Sequence, residues 1–187
     1  MKTLRTALPE VLLIEPAFHG DHRGGFMETY HAARYAKSGV RCTFVQDNLS
    51  FSRRGVLRGL HLQHPNGQDK LVQVLQGEIF DVAVDVRPGS PGFGRWVGEV
   101  LSADNRRQLF IPKGFAHGLC VLSETAILHY KCSDLYAPEC EVTVAWNDPD
   151  IGIAWPERAP ELSEKDRRGV RLADIPASRL PAVATVA

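Results

Sequence analysis

Two apolar runs, residues 71–76 and 78–87, parted only by Gly77, constrain this chain more than any other stretch. In the second run Phe80, Val82, Val84 and Val86 share one face, and Ile79, Asp81, Ala83 and Asp85 share the other. That is the two-residue period of a β-strand. Similar runs recur at 11–14, 95–101, 108–111, 118–122, 125–132 and 142–146, and 42–50 begins as a strand and turns polar. In the run 125–132, Ala126, Leu128, Tyr130 and Cys132 fall on one side. Short strands at intervals of about ten residues, broken by Gly/Pro turns, predict a mainly β fold: an antiparallel barrel or jelly roll with a few short peripheral helices. A helix is expected over 29–38, closed by Gly39. Residues 18–28 read as a glycine-rich loop, and 150–187 as a helical or irregular extension of one domain. No β-α-β alternation and no G-x-G-x-x-G are present, which excludes a dinucleotide-binding sheet.

Composition narrows the partners. Lys+Arg and Asp+Glu are both 22, so bulk electrostatics holds neither nucleic acid nor an anionic membrane. The four cysteines form no C-x-x-C pair and read as reduced, buried thiols. The apolar run near the N-terminus is too short for a signal peptide or a membrane span. A soluble cytoplasmic protein is expected.

Chemistry concentrates in residues 55–85 and 111–117. The second of these, I-P-K-G-F-A-H, has the P-x-G-x-x-H spacing of the second cupin motif. The first cupin motif needs H-x-H, then a glutamate, then a glycine seven residues on. This chain offers His61-Leu62-Gln63, then Lys70, then Gly77. Two of the usual four metal ligands are therefore replaced, one of them by a cation that cannot ligate while protonated. The reading is a cupin barrel turned to acid/base chemistry, with no metal and no cofactor. His61 is the natural general base near neutral pH. Lys70 is placed to stabilise an oxyanion formed when a proton leaves carbon next to a ketone. Tyr130, inward by parity, is a candidate acid.

The chain resembles the dTDP-4-dehydrorhamnose 3,5-epimerases. The resemblance rests on D-H-R-G-G-F-M-E (21–28), F-V-Q-D-N-L-S (44–50), G-V-L-R-G-L-H-L-Q (55–63), D-K-L-V (69–72), G-E-I-F-D-V-A-V-D (77–85), F-I-P-K-G-F-A-H-G (110–118), W-N-D-P (146–149) and L-S-E-K-D (162–166). It implies epimerisation at C3 and C5 of dTDP-4-dehydro-6-deoxy-D-glucose, giving dTDP-4-dehydro-L-rhamnose. It also implies roles: His61 as proton acceptor paired with Asp166, Lys70 beside the 4-keto oxygen, Tyr130 as proton donor, and His117 in the pocket backed by Asp81. Arg23, Glu28, Gln46, Asp47, Asn48, Arg58, Glu141 and Lys165 match substrate-contacting positions. Arg23 and Glu28 are implied to reach a neighbouring subunit's site, hence a homodimer with swapped N-terminal contacts.

Three expectations follow for the geometry. Asp166 is expected on His61 Nδ1, fixing the ring's tautomer. Arg58 and His61, three apart, fall on opposite faces of an ideal strand, so Gly59 is expected to host a bulge or twist that turns both toward the ligand. Leu119, Cys120, His129 and Leu135 depart from the family's usual residues and are expected to reshape the sugar pocket. The alternatives are a 3- or 5-monoepimerase of a related dTDP-4-keto-deoxysugar, a metal-dependent cupin enzyme, or a non-catalytic sugar-nucleotide binding protein.

Overall fold

A computed structural model describes residues 1–183 of the protein. From β1 (Lys2–Arg5) and β2 (Leu12–Glu15) the chain enters a small ribbon, β3 (Phe18–Asp21) and β4 (Gly24–Met27), then a short helix, α1 (Ala32–Lys37). Next come β5 (Gln46–Arg53), β6 (Leu57–Gln63), β7 (Lys70–Gln76), β8 (Glu78–Asp85) and β9 (Trp96–Ser102). They are followed by β10 (Gln108–Ile111), β11 (Phe115–Val121), β12 (Thr125–Cys132), β13 (Glu141–Thr143) and a one-turn helix, α2 (Glu164–Arg167).

The strands form two facing sheets, ordered β1-β2-β10-β7-β12-β5 and β13-β6-β11-β8-β9, with β3-β4 apart. Neighbouring strands run antiparallel throughout. The two-residue period of β8 is used on both sides. Ile79 and Ala83 join Val72, Leu109, Leu119 and Leu128 in the core between the sheets. Val82, Val84 and Val86 lie on the outer face, under Ile151, Leu172, Ile175 and Leu180. Each such buried aliphatic side chain contributes roughly 1.5–3 kcal/mol. The segment from 150 onward is thus the cover of the second sheet. The end of its Ala/Val/Pro-rich tail lies outside the described residues. On the first sheet, Leu12, Ile14, Leu71 and Phe110 are covered by Tyr35 of α1 and by Val40.

Three elements differ from the sequence reading. Residues 18–28 form the β3-β4 ribbon, with Phe18 paired to Met27 and Asp21 to Gly24. Its residues are largely exposed, so no apolar period marks them. Asp21 Oδ1 accepts the Arg23 backbone N–H and closes the turn. β5 starts at Gln46 rather than near 42, because its cavity-facing residues, Gln46, Asn48 and Ser50, are polar and mask the usual signal. α1 begins only at Ala32, with no side-chain cap at His31.

The apolar core does not fill the whole space between the sheets. Where β7 starts and β12 ends, a cavity of about 590 Å³ opens, lined from β5, β6, β7, β11, β12, β13 and α2.

Candidate active site

The cavity is shaped by a bulge in β6. His117 of β11 pairs with His61 and Leu119 with Arg58, so Gly59 and Leu60 together stand opposite Gly118. Gly59 has φ +114°, and a Cβ on it would sit 2.6 Å from both Gly118 Cα and His117 O. A Cβ on Gly118 would in turn meet Leu60 Cδ2 at 2.9 Å and Arg58 O at 3.0 Å. Two glycines therefore let two backbones touch, and the extra residue reverses the parity of β6. Arg58 and His61 both line the cavity as a result.

His61 stands between two carboxylates. Its Nε2 lies 2.6 Å from Asp166 Oδ1, and its Nδ1 lies 4.0 Å from Glu141 Oε1. The expected Asp166–Nδ1 pairing is thus corrected: Asp166 meets the Nε2 side of the ring, and Nδ1 is the nitrogen toward Glu141. Asp166 is 3% exposed. α2 carries it there. Ser163 caps that helix by accepting the Asp166 backbone N–H at 3.1 Å, and its hydroxyl donates to Asp166 Oδ2 at 2.7 Å. Gly59 N–H donates to Oδ1 at 3.3 Å. Burial pushes the Asp166 carboxyl upward, but the bonds to His61, Ser163 and Gly59 outweigh it and hold it below the ordinary 3.8. Asp166 is therefore a carboxylate at neutral pH.

Glu141 reaches the cavity because β13 pairs with β6, Thr143 opposite His61 and Glu141 opposite Gln63. His61 and Gln63 are two apart, so Glu141 is the diagonal neighbour of His61 on one face. Its Oε1 accepts from Lys165 Nζ at 2.8 Å, and its Oε2 from the Tyr136 hydroxyl at 3.0 Å. Burial raises its pKa, and Lys165 and His61 together more than reverse that.

Across the cavity lie Lys70, Tyr130 and Cys132. Lys70 and Cys132 are direct cross-strand partners on β7 and β12. Lys70 makes no side-chain hydrogen bond among the described residues. Burial pulls its pKa below 10.5, with Cys132, Asp81 and Glu141 opposing and Lys165 adding to the fall. Tyr130 packs on the inner core and lines the cavity, and burial pushes its pKa above 10. The parity reading of β12 holds: Leu128, Tyr130 and Cys132 all line the site. His117 lines the cavity, and its Nε2 lies 2.7 Å from Oδ1 of the fully buried Asp81. The other oxygen, Asp81 Oδ2, has no partner among the described residues.

The remaining sequence candidates divide. Gln46, Asn48, Arg58 and Lys165 line the cavity. Gln46 Nε2 donates to Asn48 Oδ1 at 2.9 Å, and Arg58 Nε to Ser52 Oγ at 3.0 Å. Asp47 does not join them. It faces the opposite side of β5 and pairs with Lys131 at 2.9 Å. Arg23 and Glu28 are also absent from this chain's cavity. Arg23 pairs with Asp21 on the exposed ribbon, and Glu28 with Arg34 of α1. Of the departures from the family pattern, Leu119 lines the cavity; Cys120 is buried, Leu135 is exposed, and His129 faces Asp47. Sequence reasoning missed Tyr136 and Ser163. The Ser163-x-x-Asp166 spacing resembles a capping box and would have located the latter. Among the described residues no three or more His, Cys, Asp or Glu side chains converge as a metal cage.

A base flanked by a fixed carboxylate, an ammonium with no hydrogen-bond partner among the described residues and a protonated phenol face one cavity. That set can abstract a proton from carbon, stabilise the enolate and return a proton. Comparison with known proteins agrees. The family model described as dTDP-4-dehydrorhamnose 3,5-epimerase matches residues 5–174. A dTDP-4-dehydrorhamnose 3,5-epimerase of Pseudomonas aeruginosa is 56% identical over 176 residues, covering 93% of this chain and 97% of that protein. One from Salmonella typhimurium is 53% identical over 169 residues, covering 89% and 92%. A solved dTDP-6-deoxy-D-glucose-3,5-epimerase from Legionella pneumophila, in complex with dTDP-4-keto-L-rhamnose, superposes with a TM-score of 0.95 at 50% identity, covering 97% and 98%.

Proposed function

The chain belongs to the dTDP-4-dehydrorhamnose 3,5-epimerase family, and from that premise we propose how its residues divide the reaction. The protein is an isomerase that inverts C3 and C5 of dTDP-4-dehydro-6-deoxy-D-glucose to give dTDP-4-dehydro-L-rhamnose. His61 removes each proton next to the C4 ketone. Because Asp166 occupies Nε2, the free base is Nδ1. Asp166 holds the ring and stabilises the imidazolium once the proton arrives. Lys70 neutralises the enolate oxygen, and Tyr130 protonates the carbon from the opposite face. Each positioned acid or base supplies roughly 10²–10⁴-fold. Arg58, Asn48 and Gln46 bind the pyrophosphate end, Arg58 in the two-pronged manner open to a guanidinium. His117, held by Asp81, braces the wall beneath the sugar, and no metal or cofactor takes part.

The observation that carries this reading is His61 clasped by Asp166 in one cavity with Lys70 and Tyr130. The test is solvent exchange. Substrate incubated with the protein in D₂O gains two deuteriums, at C3 and at C5. A single deuterium makes the protein a monoepimerase, and none makes it a binding protein.

A homodimer completes the site. Arg23 and Glu28 lie outside this chain's own cavity, on and beside an exposed ribbon that also presents Phe18 and Phe26, so in a dimer they serve the neighbouring site. The protein works in the cytoplasm. Its cysteines are free thiols, and among the described residues no helix is long and apolar enough to cross a membrane.

The same assignment sets the alkaline limit of activity. Lys70 must carry its proton to stabilise the enolate, and burial lowers its pKa from 10.5, whereas that of Tyr130 is raised from 10. As pH rises toward that lowered value, Lys70 loses its proton and with it the charge that faces the enolate. The kcat profile therefore falls on a limb below 10.5, and Lys70→Arg, whose guanidinium keeps its charge, moves that limb upward while lowering the plateau. An alkaline limb unmoved by Lys70→Arg assigns the titration elsewhere.

A further inference from the structure

Two inversions by one base pose a proton problem. After the first, His61 holds a proton that came from carbon and Tyr130 has lost one. Neither can act again until the proton on His61 has left and Tyr130 has regained one. Asp166 gives no way out: it is 3% exposed and bonded to Gly59 and Ser163 as well as to His61. The opposite nitrogen does face a route. Nδ1 lies 4.0 Å from Glu141 Oε1, too far for direct transfer and wide enough for one bridging water. The second oxygen of Glu141 accepts from the Tyr136 hydroxyl at 3.0 Å, and Tyr136 is 53% exposed at the lip of the cavity. Lys165 Nζ, at 2.8 Å, pins the carboxylate in line.

We propose that Glu141 and Tyr136 are the proton exit for His61, resetting the base between the first and the second epimerisation while the sugar stays bound. The inference rests on the two-centre reading of the reaction above. The steps balance. The C–H electron pair moves into the enolate beside Lys70, and the proton goes to His61 Nδ1. Tyr130 protonates the carbon from the opposite face. The imidazolium proton then passes through one water to Glu141 Oε1; the carboxyl turns, and the Tyr136 hydroxyl reverses from donor to acceptor, takes the proton and releases its own to solvent. Solvent returns one proton to Tyr130. The enzyme regains its starting charge, and the inverted carbon carries a solvent-derived hydrogen. This gives Glu141 a task beyond holding substrate: it makes the second inversion possible without release of the first product.

The test counts deuterium under single-turnover conditions in D₂O, by mass spectrometry and by NMR at C3 and C5. Glu141→Gln keeps the size of the side chain and a bond to Tyr136 but cannot carry a proton. Whatever the first deuterium loses through weaker binding, the second is then slowed roughly tenfold or more relative to the first. Sugar nucleotide with one inverted centre accumulates. Tyr136→Phe gives a smaller delay of the same kind. In Glu141→Ala, added formate restores the second deuterium. A Glu141 that only binds substrate or supports the fold slows both deuteriums in equal proportion, raises KM and gains nothing from formate; that result overturns the proposal. If the unmodified protein gains two deuteriums and Glu141→Gln gains them at an unchanged ratio, the exit fails and the function stands. If the unmodified protein gains only one, both fall.

Discussion

His61→Ala lowers the rate of enolisation by roughly 10²–10⁴-fold and removes solvent exchange at both carbons together. The two losses coincide because the proposed mechanism has one imidazole serve both centres. Asp166→Asn produces a loss of comparable size by a different cause. The amide keeps the volume of the carboxylate, but an amide N–H turned toward Nε2 forces the ring proton onto Nδ1. The nitrogen that should accept a proton then already has one, and the charge that stabilised the imidazolium is gone. Affinity for dTDP stays close to that of the unmodified protein in both variants, because Arg58, Asn48 and Gln46 are untouched. Exchange followed by NMR in D₂O and titration calorimetry with dTDP separate the effects. Retained exchange in His61→Ala identifies a different base. Unchanged kcat in Asp166→Asn removes the carboxylate from the mechanism.

Gly59→Ala damages stability and catalysis at once. The new Cβ meets Gly118 Cα and His117 O at 2.6 Å, both backbone atoms, so no side-chain rotation relieves it. φ +114° is also unfavourable for any residue with a Cβ. Backbone strain and forced separation of β6 from β11 together cost roughly 2–5 kcal/mol in unfolding free energy. His61 and Arg58 ride on the same bulge and move with it. A displacement of about 1 Å at a reacting group costs on the order of 10²-fold in rate. Gly89→Ala is the control: its φ is also positive, at +83°, yet nothing lies within 4 Å of its Cβ. It destabilises by only about 1 kcal/mol and leaves kcat alone. Urea unfolding and kcat measured on both variants check this. Equal stabilities for the two would mean that the close approach at Gly59 does not constrain the barrel.

Much of the fold was legible because strand physics is local. The period of β8 foretold both of its buried faces, β12 appears over the expected 125–132, and Tyr130 points inward as its parity required. The Gly59 bulge was legible as well, since two functional residues three apart on a strand demand one. β5 and the β3-β4 ribbon were less so. A strand that turns polar residues toward a cavity, or buries neither face, carries no apolar period to read.

The site is a different matter, because it joins elements remote in sequence. The local pattern determined that Lys70 stands where a metal-binding carboxylate would, and with it the turn toward acid/base chemistry. Likeness to the family named Asp166 as the partner of His61, but not the nitrogen it takes. Only the packed fold decided that, by bringing α2 against β6 so that the carboxylate meets Nε2. Pairing of β13 with β6 likewise decided that Glu141 overlooks Nδ1, and the parity of β5 decided that Asp47 points away from the cavity. The direction in which one side chain points follows from its own strand. Which two side chains meet across 105 residues follows from register, bulge and the layer covering the sheet, and those are properties of the assembled fold.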